Sequence, residues 1–331
     1  MSIFRLHACC IVVKGARRAI IYDLQREEFH YIPLSLYEIL SNDESINIES
    51  IKSTYDRDDE YIIDEYFNML IVNDYGFYCD NPENFPPIDF AFDTPEVINN
   101  AIIDIDATSN HDFDRIFNQL SILRCKYLEI RFFTDYNLDR LKSILKLSYN
   151  SSIKNIDIYI KYDADYTEFD FYEKILFPNL VVGHIFVHSS PFNKTYSTDD
   201  LYRLIFTKQQ IVDESCCGNI FLEEFTTNIK LFSESKVYNS CLHKKISIDS
   251  NGQIKNCPSM KKSFGDHRSV DFKSIVEHSI FTELWNVNKD QIDVCKDCEY
   301  RYMCTDCRAF LNSPYDKPKK CNYDPYTATW N

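Results

Sequence analysis

Apolar and β-branched residues dominate two stretches near the start of the chain. FRLHACCIVV at 4–13 and AIIYDLQREEFHYI at 19–32 are rich in residue types that favour strands, and a turn that contains Gly15 separates them. The pattern predicts two strands that are joined by this turn.

Three segments whose apolar residues recur at helical spacing follow. The clearest is the third, in which Ile62, Tyr66 and Leu70 form an apolar stripe after Asp58, a residue type that suits a helix N-cap. A short apolar run after this helix predicts a closing wing strand. Strands, three helices and a wing are typical of a winged-helix fold, which we expect over residues 1–84.

A proline-containing linker at 81–90 separates this unit from a region with a different period. Here apolar runs of strand length alternate with amphipathic helical patterns, which predicts a parallel sheet with crossover helices. Four clear strand–helix units are fewer than the eight of a complete barrel, so we expect a partial (β/α) barrel over residues 85–235. The predicted strands are 97–106, 126–133, 153–160 and 180–188, and the predicted helices are 111–125, 138–147, 169–176 and 198–206.

Composition narrows the classes of partner. The formal net charge is −15 at pH 7, which disfavours binding to nucleic acid or to an anionic membrane. The sequence shows no basic and apolar targeting pattern at its start and no run of eighteen apolar residues. We therefore expect a soluble, cytoplasmic protein whose 13 cysteines are metal ligands or core thiols rather than disulfides.

Cysteines concentrate in the last part of the chain, residues 236–331, at spacings that suit metal ligands. A predicted hairpin, KKISIDSNGQIKNCPSM at 244–260, alternates apolar and polar residues around an Asn251-Gly252 turn. Four thiolates hold one Zn²⁺ ion or one iron–sulfur cluster, so seven cysteines supply two sites, one of which lacks a ligand. The seven are Cys241, Cys257, Cys295, Cys298, Cys304, Cys307 and Cys321.

This segment resembles the SPASM module, which carries auxiliary 4Fe–4S clusters in radical-SAM peptide-modifying enzymes. The hairpin carries the resemblance, with Gly252 five residues before Cys257. More narrowly, CKDCEYRYMCTDCRAF at 295–310 resembles the SPASM proteins of grasp-with-spasm peptide maturation systems. Those systems pair such a protein with an ATP-grasp ligase and a short precursor peptide. The resemblance extends along the whole chain and is most specific from 238 to 324.

The resemblance implies two interleaved 4Fe–4S clusters. Cys241, Cys257 and Cys307 would hold the first cluster. Its fourth ligand stays open: the position is either without a protein ligand or filled by Cys216 or Cys217. Zn²⁺ in both sites is the alternative, because thiolates suit either metal. The second cluster would be held by Cys295, Cys298, Cys304 and Cys321.

One motif of radical-SAM enzymes is absent from the chain. Their SAM-binding cluster needs a C-x3-C-x2-C loop after the first barrel strand, whereas the corresponding loop at 106–114 has no cysteine, and the motif occurs nowhere else in the sequence. We therefore expect no SAM cluster and no radical-SAM catalysis, and we assign no catalytic residue. Polar residues near this loop and on the last predicted strand are interpreted as structural, namely Asp104, Asp106, His111, His184 and His188.

In order and size the N-terminal unit resembles the PqqD-type element, which binds the leader of a precursor peptide as an added strand. The resemblance implies an accessory maturation protein that binds this leader and partners an ATP-grasp ligase, with mainly structural clusters. We expect the leader at the edge of the strand at 19–32, beside the third helix. Two alternatives remain: an oxidoreductase whose clusters act directly on the precursor, and a zinc-stapled binding module.

Overall fold

The N-terminal part of the chain, in the computed structural model, contains two small antiparallel sheets. β1 (Ile3–Leu6) pairs with β5 (Gly76–Cys79). β2 (Cys10–Lys14), β3 (Ala19–Asp23) and β4 (Glu28–Ile32) form a three-stranded sheet with β3 in its centre. A turn interrupts each of the two predicted strands, so that each gives two strands in the structure.

Three helices lie between β4 and β5, in the order that the sequence predicts. They are α1 (Leu34–Asn42), α2 (Ile48–Lys52) and α3 (Glu60–Val72). Asp58, the predicted N-cap of α3, lies outside the described residues. The structure describes residues 3–42, 45–56, 60–166, 169, 171–172, 181–198 and 202–331.

The central strand β3 is buried on both faces. Ala19 and Ile21 pack into one core with the buried side chains of the three helices. Ile20 and Tyr22 belong to a different core, together with aromatic residues from the C-terminal part of the chain. Successive side chains of a strand point to opposite faces, so the three-stranded sheet is a layer between its own helices and the cysteine-rich segment.

An eight-stranded sheet forms the middle of the molecule and confirms the predicted mixed α/β class. Its strands are β6 (Asn100–Ile105), β7 (Tyr127–Phe132), β8 (Asn155–Lys161), β9 (Val182–His188), β10 (Lys194–Thr198), β11 (Tyr202–Phe206), β12 (Lys245–Ile248) and β13 (Ile254–Lys255). Their order is β10-β11-β9-β8-β7-β6-β12-β13. The six inner strands are parallel, and the two outer strands pair antiparallel with their neighbours.

Two crossover helices follow the first two strands of this sheet, α4 (Phe113–Ile122) and α5 (Leu138–Lys146). Asp112 caps α4 by accepting a hydrogen bond from the Arg115 backbone N–H at 3.0 Å. Ile116 and Leu120, one turn apart, are buried against the sheet in the main core. The remaining elements are α6 (Ile229–Val237), α7 (Phe272–Val276), α8 (Ser279–Thr282), β14 (Tyr323–Asp324) and β15 (Thr329–Trp330).

One predicted helix, at 198–206, is wrong. Residues 202–206 form the strand β11, which pairs parallel with β9 and antiparallel with β10. Leu204 and Phe206 are buried, and their spacing of two residues is that of one face of a strand. The sequence spacing of Leu201, Leu204 and Ile205 also fits a helical stripe, so the local pattern is ambiguous. Pairing at the sheet edge therefore decides the conformation. The predicted helix at 169–176 lies mostly outside the described residues.

The cysteine-rich segment begins on the central sheet. Its predicted hairpin is present, because β12 and β13 pair antiparallel around a turn in which Gly252 has a φ of +80°. β12 also pairs parallel with β6, the first strand of the sheet. Most of the segment beyond β13 consists of turns and short helical pieces. No helix among the described residues is both long and apolar enough to cross a membrane.

Candidate metal centre

Four of the seven C-terminal cysteines line one small cavity of about 20 Å³. We call them the second thiol group: Cys295, Cys298, Cys304 and Cys321. These are the four residues that the sequence assigns to the second site. Apart from the thiols, the wall is largely aromatic and contains a single lysine, Lys289, and Arg301. The fold therefore brings these four thiols together around a common space.

Short turns position the second thiol group. The Cys298 backbone N–H donates to the Cys295 carbonyl at 3.0 Å, and the Cys304 N–H donates to the Tyr300 carbonyl at 3.1 Å. Cys321 follows Pro318 in a similar turn and forms a bridge with Ile220 of an upstream loop. Because each cysteine lies in a tight turn, sequence spacing determines where its sulfur points.

The spacing of the sulfurs bears on which metal they suit. Among the described residues, the one group of three or more Cys, His, Asp or Glu ligand atoms that all lie within 4.8 Å of one another is Cys9, Cys10 and Asp23. None of the seven C-terminal cysteines belongs to such a group. With Zn–S bonds of about 2.3 Å, tetrahedral Zn²⁺ needs sulfurs roughly 3.8 Å apart. No three of the C-terminal sulfurs are therefore mutually as close as the ligands of a single zinc ion.

Three other thiols are the predicted ligands of the first site, and we call Cys241, Cys257 and Cys307 the first thiol group. Burial, and after it the nearby Cys241, raise the pKa of the Cys257 thiol to about 12. Burial raises the pKa of Cys307 to about 11, again with Cys241 as the next cause. Both thiols therefore lie close enough to Cys241 to interact with its charge.

Cys217 lies next to this first thiol group. The residue as a whole is exposed, but its thiol is surrounded by protein atoms. This burial of the thiol raises its pKa, and Cys241 is the next cause. Gly218 has a φ of +85°, and a Cβ at this position would come within 2.7 Å of the Cys307 sulfur. The turn that contains Cys217 is therefore in direct contact with Cys307.

Contacts from the C-terminal segment hold this turn in place. Lys320 Nζ donates to the Cys217 carbonyl at 2.6 Å, and Ser259 Oγ donates to the Glu214 carbonyl at 2.8 Å. The Cys216 sulfur instead lies 3.5 Å from the Gln210 carbonyl oxygen. Of the two candidates for the missing ligand, Cys217 is therefore the better placed.

Burial determines how these thiols behave without metal. It raises the pKa of the Cys295 thiol to about 12 and that of Cys298 well above its usual value. Metals bind thiolates, so metal binding must displace protons from these buried groups. The free energy of metal binding is thus coupled to the folding of the segment.

Three charged residues of the cysteine-rich segment, Lys289, Asp306 and Arg308, are buried near the thiols. None of them was among the candidate site residues predicted from the sequence. Lys289 donates to the Cys304 sulfur at 3.1 Å. Asp306, which lies between Cys304 and Cys307 in the sequence, forms ion pairs with Lys289 at 3.7 Å and with Arg308 at 2.5 Å. The signal that could have revealed Asp306 and Arg308 is the placement of charged residues directly beside closely spaced cysteines.

Polar residues at the ends of the sheet strands have structural partners. Arg131 donates two hydrogen bonds to Asp104, at 2.6 and 2.8 Å, and His111 Nε2 lies 2.7 Å from the Asp104 carbonyl oxygen. Asp106 accepts from the Thr108 backbone N–H at 2.7 Å.

The two histidines of β9 also have partners. His184 Nδ1 lies 2.9 Å from the Asp157 carboxylate, and His188 Nε2 lies 2.9 Å from the Phe132 carbonyl oxygen. His188 is buried. These contacts agree with structural roles for both histidines.

Among the cavities that lie outside the cysteine-rich segment, two bear on the candidate function. A groove of about 470 Å³ runs along β2 and is lined mainly by apolar residues, among them Ile11 and Phe85. A pocket of about 240 Å³ lies on the inner face of the central sheet and is lined by Glu129, Arg131 and Cys217, among others. The second pocket therefore borders the candidate fourth ligand of the first site.

Comparison with known proteins does not assign the chain to a family. No family model matches it, and no curated protein matches it. Among solved structures, the chain is similar to SuiB of Streptococcus suis, with 11% sequence identity over 96% of this chain and 99% of that chain. The TM-score is 0.34, and at this score the likeness establishes neither a shared fold nor a shared function.

Proposed function

We propose that this protein is an accessory maturation protein for a ribosomally synthesised, post-translationally modified peptide. Its N-terminal unit would bind the leader of the precursor as a PqqD-like winged-helix element, and the chain would partner an ATP-grasp ligase. Its cysteine-rich segment would be a SPASM module with mainly structural clusters. The observation that carries the proposal is that four cysteines at SPASM-like spacing line one small cavity.

The residues fit two four-thiol metal sites. Cys295, Cys298, Cys304 and Cys321 would hold the second cluster, and Cys217 would complete the first thiol group. The spacing of the sulfurs favours 4Fe–4S clusters over single zinc ions. Within each site the metal would supply a strong cross-link between distant turns in a segment that has little regular structure.

The proposed recognition unit packs directly on the second metal site. Arg18 donates to Glu299 at 2.7 Å, and the Tyr22 hydroxyl donates to the Glu299 carbonyl at 2.7 Å. The Ala16 backbone N–H donates to the Asp297 carbonyl at 2.7 Å. Residues 297 and 299 flank the ligand Cys298. A metal at this site would therefore help to fix the position of the N-terminal sheet.

The outer strand β4 is the surface that we propose for the leader. β3 is the centre of its sheet, so of the two strands that replace the predicted strand at 19–32 only β4 offers an edge. Within the part of the chain that the structure describes, β4 has no partner on its outer side. Its last residue, Ile32, shares a core with Ile63 and Phe67 of α3. An extended peptide could add to this edge beside α3 through backbone hydrogen bonds.

A second candidate function is a cluster-dependent oxidoreductase that modifies the precursor directly. The pocket on the inner face of the sheet favours it, because Cys217 lines this pocket and also lies beside the first thiol group. Modification of the precursor by this protein alone, without the ligase, would support this second function.

Binding of the leader tests the proposed function. The full-length protein is titrated with the leader of the precursor peptide encoded beside its gene, and binding is followed by fluorescence polarisation. We expect micromolar affinity, about −8 kcal/mol. Backbone groups alternate along an antiparallel strand, so the N–H of Glu28 faces β3 and the N–H of Tyr31 faces the open edge of β4. Tyr31→Pro removes this outward N–H and should weaken binding about tenfold. Tyr31→Ala keeps that N–H and is the matched control.

Equal affinities of the two variants and the wild type would show that the leader does not bind at the edge of β4. The groove along β2 would then be the next candidate. No binding by wild-type protein that retains its metal would contradict the proposed function. Circular dichroism of both variants shows whether the fold is kept.

A further inference from the structure

Lys289 is buried beside the second thiol group. It is only 3% exposed, and its Nζ atom lies 3.1 Å from the Cys304 sulfur. A lysine is seldom buried to this extent without a partner, because removing its charge from water is costly. Its position in the wall of the cavity places the ammonium group against the space that the four thiols share.

The surrounding charges hold this ammonium group in place. Asp306 lies 3.7 Å from Lys289, but it is also bound by Arg308 at 2.5 Å and by Asn239 Nδ2 at 2.8 Å. The Cys304 sulfur, at 3.1 Å, lies closer to the ammonium group than the Asp306 carboxylate, at 3.7 Å. The charge of Lys289 therefore acts on the thiol as well as on the carboxylate.

Four thiolates in a buried site concentrate negative charge where water cannot screen it. A hydrogen-bond donor that carries a positive charge offsets part of this cost. Outer contacts of this kind also adjust the affinity of a site for its metal and, where the metal is redox-active, its reduction potential.

We propose that Lys289 is a positioning residue of the second metal site, where its ammonium group neutralises part of the thiolate charge through a hydrogen bond to Cys304. This inference rests on the proposed metal site. It predicts that loss of the positive charge weakens metal retention and shifts the reduction potential of the cluster to more negative values, because the reduced cluster carries more negative charge.

The first thiol group has a weaker counterpart. Lys245 Nζ lies 3.6 Å from the Cys241 sulfur, a longer contact than the 3.1 Å of Lys289. Each thiol group therefore has a lysine of its own beside it. We therefore expect Lys289 variants to affect the second site and to leave the first site unchanged.

The test compares three variants of the full-length protein after anaerobic purification. Lys289→Met removes the charge and keeps the length of the side chain, and Lys289→Arg keeps the charge. Lys296→Met is the matched control, because Lys296 lies between the ligands Cys295 and Cys298 in the sequence but is exposed and pairs with Asp293 at 3.2 Å. An iron chelator is added, and metal loss is followed by absorbance. Reduction potentials are measured by titration with electron paramagnetic resonance detection.

We expect Lys289→Met to weaken metal retention about 10- to 100-fold, the usual range for an outer contact, and to lower one of the two potentials. Lys289→Arg should restore both properties, and Lys296→Met should resemble the wild type. Equal retention and potentials in Lys289→Met and the wild type would overturn the proposal. If Lys289→Arg also weakens metal retention and lowers the reduction potential, Lys289 acts through packing and not through its charge. That result would overturn the proposal too.

If the proposed metal site does not exist, the wild-type protein itself gives a different result from the one expected above. Wild-type protein without any bound metal would contradict the proposed function itself. Wild-type protein with Zn²⁺ would contradict only the iron–sulfur assignment, and the retention experiment would then be made with a zinc chelator.

Discussion

At the scale of single residues, burial and close neighbours decide what each cysteine can do. Burial raises the pKa of five of the seven C-terminal thiols, namely Cys257, Cys295, Cys298, Cys304 and Cys307. Cys10 and Cys125 are also buried, but they pack among the apolar side chains of the cores and do not belong to the seven C-terminal cysteines. The same residue type therefore serves as a core side chain in one place and as a candidate ligand in another.

The fourth ligand of the first site gives a prediction at this scale. Cys217→Ser should lower the metal content of the first site, because the hydroxyl is a poor replacement for a soft thiolate ligand. Cys216→Ser is the matched control at the adjacent position and should keep the wild-type metal content. Metal analysis of both proteins checks this. Equal metal loss in both variants would remove Cys217 as the specific ligand.

At the scale of secondary-structure elements, the hairpin of β2 and β3 connects the N-terminal unit to the cysteine-rich segment. Gly15 lies in its turn, and a Cβ there would come within 2.7 Å of Glu299 Oε2. Only a residue without a side chain allows this approach. Arg18 follows in the same turn and pairs with Glu299, whose side chain is fully buried.

Loss of this ion pair gives a prediction at the scale of elements. Arg18→Met should lower the free energy of unfolding by about 3 kcal/mol, because it leaves the buried Glu299 carboxylate without its cation. Arg17→Met, a change at the exposed neighbouring residue, should have little effect. Chemical denaturation of the metal-loaded proteins measures both values. A difference of less than about 0.5 kcal/mol between the two variants would show that the hairpin contact contributes little to stability.

Elements with a strong local signal could be predicted from the sequence. The stripe of α3, the hairpin around Gly252 and the first strands of the central sheet all have clear periods. The predicted helix at 198–206 is wrong, because its short apolar pattern fits either conformation and pairing with β9 decides between them. The two-sided burial of β3 was also beyond local reasoning, since five consecutive buried residues do not show what covers each face.

The candidate metal sites could likewise be predicted from the sequence only in part. The resemblance to the SPASM module, which rests on cysteine spacing, implied the four cysteines that line one small cavity. Cys217 was left undecided, because its contact with Cys307 depends on the path of a loop that no local pattern specifies. Lys289 was missed, because an isolated lysine in a sequence is normally exposed and only the fold reveals its contact with Cys304.

At the scale of the whole molecule, the cysteine-rich segment contacts both other parts of the chain. β12 joins it to the central sheet beside β6, and Tyr300 and Tyr323 join it to the buried face of the N-terminal sheet. Metals bound in this segment would therefore stabilise more than their own turns. We propose that this arrangement keeps the leader-binding unit in a fixed position relative to the rest of the protein.

The metal content of the purified protein tests the central claim most directly. The full-length chain is expressed and purified without oxygen, and iron, acid-labile sulfide and zinc are measured per chain. Cys304→Ala removes one ligand of the second site, and Cys125→Ala is a control at a buried cysteine outside both sites. We expect about eight iron and eight sulfide per chain, as two 4Fe–4S clusters require, about half of this in Cys304→Ala and no loss in Cys125→Ala. Stoichiometric zinc without iron, or no metal at all, would contradict the assignment of two iron–sulfur clusters.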